Sequence, residues 1–263
     1  MQAYHPKKRL GQNFLTSDKI ISKIAEVIDP HPGERIIEIG PGRGALTVRL
    51  AESSASITAV EFDRDLIAHL SRLFGTNEKV EVLNQDFLLY EPPYERFKLV
   101  GNLPYNITSP VVDWCVRHRE AVDCACFMIQ KEVARRLSSS PGGKDWSPLA
   151  IFTQLHFDVR ICFDVAPKHF EPPPKVISSV VELTPCETAP PEYPQQFERL
   201  VRQSFKSRRK VLSNNLVPDL IGEMSAAKVI LEEAGLATNC RAEQVSTEQF
   251  LKLTKLLVSY NIM

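Results

Sequence analysis

Apolar residues recur at helical spacing from Asp18 to Ile28, behind the polar pair Thr16 and Ser17, and the pattern predicts a helix. Pro30, Pro32 and Gly33 end it. Four short apolar runs follow, at Arg35 to Ile39, Ser56 to Val60, Val80 to Leu83 and Lys98 to Val100. Each is too short for a helix and is rich in Ile, Val and Leu, so each reads as a strand. Helical patterns at Ala45 to Ala51 and Asp65 to Phe74 lie between them. Strands alternating with helices imply a parallel, doubly wound α/β sheet. Asp123 to Ile129 is a further buried strand, and Lys131 to Leu137 a helix. The apolar stretch Leu149 to Phe157 fits either helix or strand, and Val176 to Leu183 alternates like a strand.

The pattern then changes. Thr184 to Gln196 holds four prolines among polar residues, which reads as a linker. Beyond it Phe197 to Leu216, Ala226 to Ala234 and Thr247 to Val258 are all helical in period, with no strand between them. We therefore expect an α/β domain over residues 1–187 and a small all-helical domain over residues 188–263.

No apolar run approaches the ~18 residues of a membrane span, so no membrane role is expected. Lys7, Lys8 and Arg9 make the N-terminus basic, but no apolar signal core follows, so a cytoplasmic protein is expected. Of six cysteines only Cys124 and Cys126 are close, and one intervening residue is too few for a zinc knuckle. His5, His156 and His169 show no metal spacing either, so no metal is assigned.

The first strand runs into Gly40-Pro-Gly-Arg-Gly44, a turn that brings backbone close to a ligand at the carboxyl edge of the sheet. Its third glycine comes one residue too early for the dinucleotide fingerprint. Glu61 ends the second strand, where a carboxylate can accept both hydroxyls of a ribose. Asp86 follows the third, where a carboxylate can take a hydrogen bond from an adenine amine. A glycine turn with two strand-end acids suits a nucleoside without phosphates, such as S-adenosylmethionine. A nicotinamide dinucleotide is the rival.

Asn102-Leu-Pro-Tyr105 directly follows the fourth strand. Pro104 stiffens the turn and pushes Leu103 out of helical space. Such a turn offers one ligand an amide oxygen, a backbone carbonyl and a flat ring. An exocyclic amine on a planar base needs that set to become a nucleophile. A plain loop with a packed tyrosine is the alternative.

With these residues in hand, the chain resembles the rRNA adenine N6,N6-dimethyltransferases of the KsgA type. Leu10-Gly-Gln-Asn-Phe-Leu15, Phe170-Glu-Pro-Pro-Pro-Lys-Val176 and Arg208-Arg-Lys-Val-Leu-Ser-Asn214 are similar to that family's elements, in the same order. The resemblance implies a Rossmann-like class I S-adenosylmethionine-dependent methyltransferase domain with a small helical C-terminal domain. It implies cofactor contacts from Asn13, Leu15, Gly40, Glu61, Asp86 and Asn102. The implied reaction is dimethylation of two adjacent adenines in the 3′-terminal hairpin loop of small-subunit (16S) rRNA, and the implied partner a small-subunit precursor. A monomer is expected. Erm enzymes, which act on large-subunit rRNA, usually carry isoleucine at the Leu103 position and lack the Arg-Arg-Lys pattern. A transcription or assembly factor of the same fold is a third reading, disfavoured by the absence of an Arg/Ser-rich leader.

The mechanism expected from these residues has the Asn102 side-chain oxygen and the Leu103 carbonyl accept the two amine hydrogens. Tyr105 and Phe170 would stack on the two faces of the base, with Pro104 holding the turn. Arg199, Arg202, Lys206, Arg209 and Lys210 are expected on one face of the first C-terminal helix, as an RNA-phosphate patch joined by Lys7, Lys8 and Arg9. Val201, Phe205 and Leu212 would face the other way, with Arg208 on their side.

Overall fold

A computed structural model describes residue 7, residues 11–187 and residues 190–263. The chain runs through β1 (Phe14–Leu15), α1 (Asp18–Ile28), β2 (Arg35–Ile39), α2 (Ala45–Ala51), β3 (Ser56–Glu61), α3 (Arg64–Phe74) and β4 (Val80–Asn84). Next come β5 (Phe97–Asn102), α4 (Thr108–Arg117), β6 (Val122–Gln130), α5 (Lys131–Leu137), α6 (Pro148–Gln154) and β7 (Phe157–Val165). After β8 (Phe170–Glu171) and β9 (Ser178–Pro185) follow α7 (Pro194–Ser204), α8 (Leu212–Leu216), α9 (Met224–Glu233) and α10 (Thr247–Ser259).

Seven strands form one sheet in the order β4-β3-β2-β5-β6-β9-β7. The first five are mutually parallel, and β9 runs antiparallel to both its neighbours. Parallel strands are covered by helices on both faces, which is why they read as unbroken apolar runs. Ile36, Ile37 and Ile39 of β2 are all buried. The chain order reverses between β2 and β5, whose last register pair is Ile39 with Gly101. Gly40 and Asn102 therefore leave the sheet side by side at its carboxyl edge, where such sheets form a crevice.

Four elements lie outside the sequence expectation: the two-residue strands β1 and β8, strand β7 and helix α4. Strand β7 escapes notice because its alternation is broken by a bulge between Ile161 and Phe163. Helix α4 carries Pro110 in its first turn, where a missing N–H costs nothing.

The chain divides into two compact units. One holds the residues up to Arg135 with Phe157–Cys186, and the other holds Arg136–His156 with Glu187–Met263. This differs from the expected division, because residues 136–156 are not part of the α/β unit. Trp146, Ala150, Ile151 and Leu155 share a core with Phe197, Leu200, Phe250 and Leu253. The Trp146 indole N–H donates to the Val245 carbonyl at 2.9 Å.

The helix expected from Phe197 to Leu216 is broken. Helix α7 stops at Ser204 and α8 starts at Leu212. Asn215, 4% exposed, holds the break: its amide donates to the carbonyls of Ser204 at 2.7 Å and Ser207 at 3.1 Å. Arg209 and Lys210 thus stand on a turn and not on a helix face. Helix α10 begins at a capping box, with Ser246 Oγ accepting from the Gln249 N–H and Gln249 Oε1 from the Ser246 N–H. No helix among the described residues is long and apolar enough to cross a membrane.

Candidate active site

A cavity of about 340 Å³ opens at the carboxyl edge of β2, β3 and β5. The sequence candidates Asn13, Leu15, Gly40, Glu61, Asp86, Asn102, Leu103, Pro104, Tyr105 and Phe170 all border it. The glycine turn is built by its own hydrogen bonds. The Gly40 N–H donates to the Val60 carbonyl, the Gly44 N–H to the Pro41 carbonyl and the Gly42 N–H to Glu61 Oε2 at 3.0 Å. Gly40 has φ +63° and Gly42 φ +58°. A Cβ on Gly42 would meet the Phe14 ring at 2.9 Å, so the turn admits no side chain there.

Glu61 is 6% exposed, and its other oxygen accepts the Asp63 N–H at 2.8 Å. Burial raises the affinity of its carboxyl for a proton, against the pull of these N–H groups. Asp86 Oδ1 accepts the Leu88 N–H at 3.0 Å and caps a short 3₁₀ turn at Phe87–Leu89. Both acids have acceptor capacity to spare.

These bonds test the two nucleotide readings. All three glycine N–H groups of the turn are spent inside the protein, so none is left to cradle a pyrophosphate. The two carboxylate acceptors fit a nucleoside whose hydroxyls and amine donate, as those of S-adenosylmethionine would. Glu61 and Asp86 would hold its ribose and adenine.

At the other end of the cavity, Asn102 closes β5. Its amide nitrogen donates to the Asn13 carbonyl at 2.7 Å. A carbonyl can only accept, so this bond fixes the carboxamide and leaves Oδ1 as its free acceptor. The Leu103 N–H donates to the Met128 carbonyl at 3.0 Å, and the Ile107 N–H to the Pro104 carbonyl at 3.1 Å. The turn is thereby pinned on both sides. Tyr105 is half-buried at the wall. Phe170 is 5% exposed and belongs to the core with Phe14 and Met128, while still bordering the cavity. Strand pairing of Leu15 with Phe170 brings the N-terminal segment and the proline loop together.

Among the lining residues that were not singled out in the sequence, Phe62, Gln12 and Glu38 stand out. Phe62 directly follows Glu61 and is 59% exposed at the wall. Gln12 donates to Asp63 Oδ2 at 2.9 Å. Glu38, in the middle of the run Arg35–Ile39, is 2% exposed and accepts the Thr47 hydroxyl at 2.6 Å. Burial pushes its carboxyl up to about 7, and the Glu61 charge adds to the rise. An acid inside an apolar strand was the available signal.

The basic patch changes most. Arg202 pairs with Glu198 at 2.8 Å and lies over the Phe152 ring, 5.2 Å from its centroid. Lys206 pairs with Asp219 at 3.0 Å, and Arg199 reaches the Asp219 carbonyl at 3.4 Å. Asp219 is thus brought to Arg199 and Lys206 by the fold, while Glu198 is a neighbour of Arg202 on the same helix. Arg208 is exposed, not turned to the apolar side, and pairs with Glu243 at 3.2 Å. Arg209 and Lys210 are exposed and have no ion-pair partner among the described residues. Lys7 is held by Asp63 at 2.5 Å and Asp65 at 2.6 Å, which removes it from the expected patch. Lys8, Arg9 and His5 lie outside the described residues.

Five parallel strands, a reversed strand inserted beyond them, and this cavity define a class I S-adenosylmethionine-dependent methyltransferase. A model of the family described as ribosomal RNA adenine dimethylase matches residues 4–259. The chain belongs to that family, and its chemistry is the family's: methyl transfer from S-adenosylmethionine to adenine of ribosomal RNA. It is similar to the ribosomal RNA small subunit methyltransferase A of Pseudomonas aeruginosa, 39% identical, with 97% of this chain and 95% of the relative covered. That of Legionella pneumophila is 37% identical, with 97% and 98% covered. Among solved structures, the 23S rRNA methyltransferase ErmE superposes with TM-score 0.74 at 30% identity, covering 94% of this chain and 100% of that one. A dimethyladenosine transferase from Plasmodium falciparum gives 0.79 at 26% identity, covering 94% and 97%.

Proposed function

We propose that this chain dimethylates the N6 amines of two adjacent adenines in the 3′-terminal hairpin loop of small-subunit rRNA, acting as a cytoplasmic monomer on a small-subunit precursor. The observation that carries the mechanism is the bond from the Asn102 amide to the Asn13 carbonyl. It leaves Asn102 Oδ1 as the acceptor of its side chain, and Leu103, next in the chain, also borders that end of the cavity. The choice of small over large subunit is supported by relatives named for the small subunit at 36–39% identity, against 30% for ErmE.

The N6 amine is a poor nucleophile because its lone pair is delocalised into the ring. Asn102 Oδ1 and the Leu103 carbonyl accept its two hydrogens, which draws nitrogen toward tetrahedral geometry and concentrates the pair. Each such preorganised acceptor contributes about 3 kcal/mol. Bound S-adenosylmethionine supplies the methyl group, activated on a sulfonium sulfur. The methylated nitrogen is strongly acidic, so its proton leaves without a dedicated base. Tyr105 and Phe170 hold the base flat after it leaves its stack. Pro104 keeps the acceptors fixed relative to each other. Glu61 takes the ribose hydroxyls, Asp86 the adenine amine, and Asn13, Leu15 and Gly40 close the cofactor walls. Arg209 and Lys210 contact RNA phosphates, with Arg199, Arg202 and Lys206 contributing less because each already has an acidic or carbonyl partner.

The test is transfer of labelled methyl to purified small and large subunits that lack the modification. Label in small-subunit rRNA supports the proposal. Label in large-subunit rRNA alone would replace it with the Erm-type reaction.

A further inference from the structure

Residues 11 to 15 form a strap that touches both ends of the cavity. At the cofactor end, Gln12 Nε2 donates to Asp63 Oδ2 at 2.9 Å, and Asp63 in turn donates its backbone N–H to Glu61 Oε1 at 2.8 Å. Gln12 Oε1 accepts the Lys7 N–H at 2.7 Å, and the Lys7 ammonium sits on Asp63 Oδ1. Asp63 is 3% exposed and also caps α3 through the Asp65 N–H. At the amine end, the next residue along the strap, Asn13, accepts the Asn102 amide at 2.7 Å. Gly11 lies against Pro104 and Asn106, with its Cβ position 3.7 Å from the Pro104 Cβ.

We propose that Gln12 is a positioning residue: by tying the strap to Asp63 it fixes the Asn13 carbonyl that orients the Asn102 carboxamide. The acid that takes the ribose, Glu61, and the amide that takes the target amine, Asn102, are then joined through three residues: Asp63, Gln12 and Asn13. The inference rests on the methyl-transfer reading above. Gln12 touches no reacting atom, so its loss acts on turnover through Asn102 and leaves substrate binding in place.

The experiment pairs Gln12→Glu with the double variant Gln12→Glu/Asp63→Asn. The single variant sets a carboxylate against Asp63. The double variant restores the hydrogen bond with donor and acceptor exchanged, and asparagine still caps α3. For Gln12→Glu, kcat should fall about tenfold, the effect of one charge-assisted hydrogen bond, with KM for the small subunit within about twofold. Without cofactor, hydrogen exchange in residues 11–16 should quicken about tenfold in the same variant. The double variant should recover most of both losses. Wild-type transfer in the same assay tests the functional reading separately. Unchanged exchange in Gln12→Glu, or a double variant no better than the single one in both readouts, would overturn the proposal.

Discussion

The side-chain amide of Asn102 is tied by a 2.7 Å hydrogen bond to the backbone carbonyl of Asn13, a residue 89 positions earlier in the chain. That bond commits the amide nitrogen and leaves Oδ1 as the end of the carboxamide able to accept a hydrogen bond. Asn102→Ala removes one of the two acceptors and should lower single-turnover transfer by roughly 100-fold, the usual cost of one preorganised donor or acceptor. Cofactor affinity, measured by calorimetry, should change far less. Asn102→Asp keeps an acceptor but turns an oxygen toward the Asn13 carbonyl, so it should also be slow. Near-normal single-turnover rates would remove Asn102 from the chemistry.

Glu61 accepts two backbone N–H groups, from Gly42 and Asp63, and has lone pairs left for a ribose. Glu61→Ala should weaken S-adenosylmethionine binding at least about 100-fold, since hydrogen bonds to a carboxylate contribute about 1.5–3 kcal/mol each. Isothermal titration with the cofactor product S-adenosylhomocysteine provides an independent measure. Equal affinity in wild type and variant would sink the assignment.

Glu38 gives the fold a pH dependence. Its carboxyl titrates near 4.5 when unfolded and is pushed up to about 7 by burial in the native protein. Between those values the native state holds a proton that the unfolded chain has lost, so stability falls as pH rises through the window and levels off above it. Glu38→Gln should flatten this decline, by roughly 3 kcal/mol at most between about pH 4.5 and about pH 8. The raised carboxyl of Glu61 contributes a slope of the same sign. Denaturant unfolding of both proteins across that range checks this, and parallel curves would contradict it.

Arg209 and Lys210 stand on an exposed turn, whereas Lys206 is paired with Asp219 and Arg202 with Glu198. Arg209→Glu with Lys210→Glu should therefore cost more small-subunit affinity than Arg202→Glu with Lys206→Glu. Each lost phosphate contact should flatten the log–log salt dependence by about one unit. Binding measured at several salt concentrations separates the two pairs. Equal slopes for wild type and the first pair would mean that the turn is only solvated.

The parts of this molecule that were legible in the sequence are those that depend on near neighbours. Glu61 and Asp86 declare themselves because each follows a short apolar run, and Asn102-Leu-Pro-Tyr105 because a proline stiffens the turn. The five parallel strands were legible for the same reason. What distant partners decide was not. Residues 136–156 join the helical unit because Trp146 bonds to Val245, 99 positions later. The break between α7 and α8 depends on Asn215 reaching back to Ser204. Lys206 looked free until Asp219 folded against it. Phe62 and Glu38 were readable in principle, one beside a strand-end acid and one as an acid within an apolar strand. Gln12 was not, because its meaning lies in Asp63.

The most direct test is nucleoside analysis of small-subunit rRNA after incubation with S-adenosylmethionine and either the wild-type protein or Asn102→Ala, using subunits that lack the modification. The wild type should produce N6,N6-dimethyladenosine within the 3′-terminal hairpin loop, and the variant should produce little in the same time. A wild-type reaction with no dimethyladenosine in small-subunit rRNA, or equal yields from both proteins, would contradict the account.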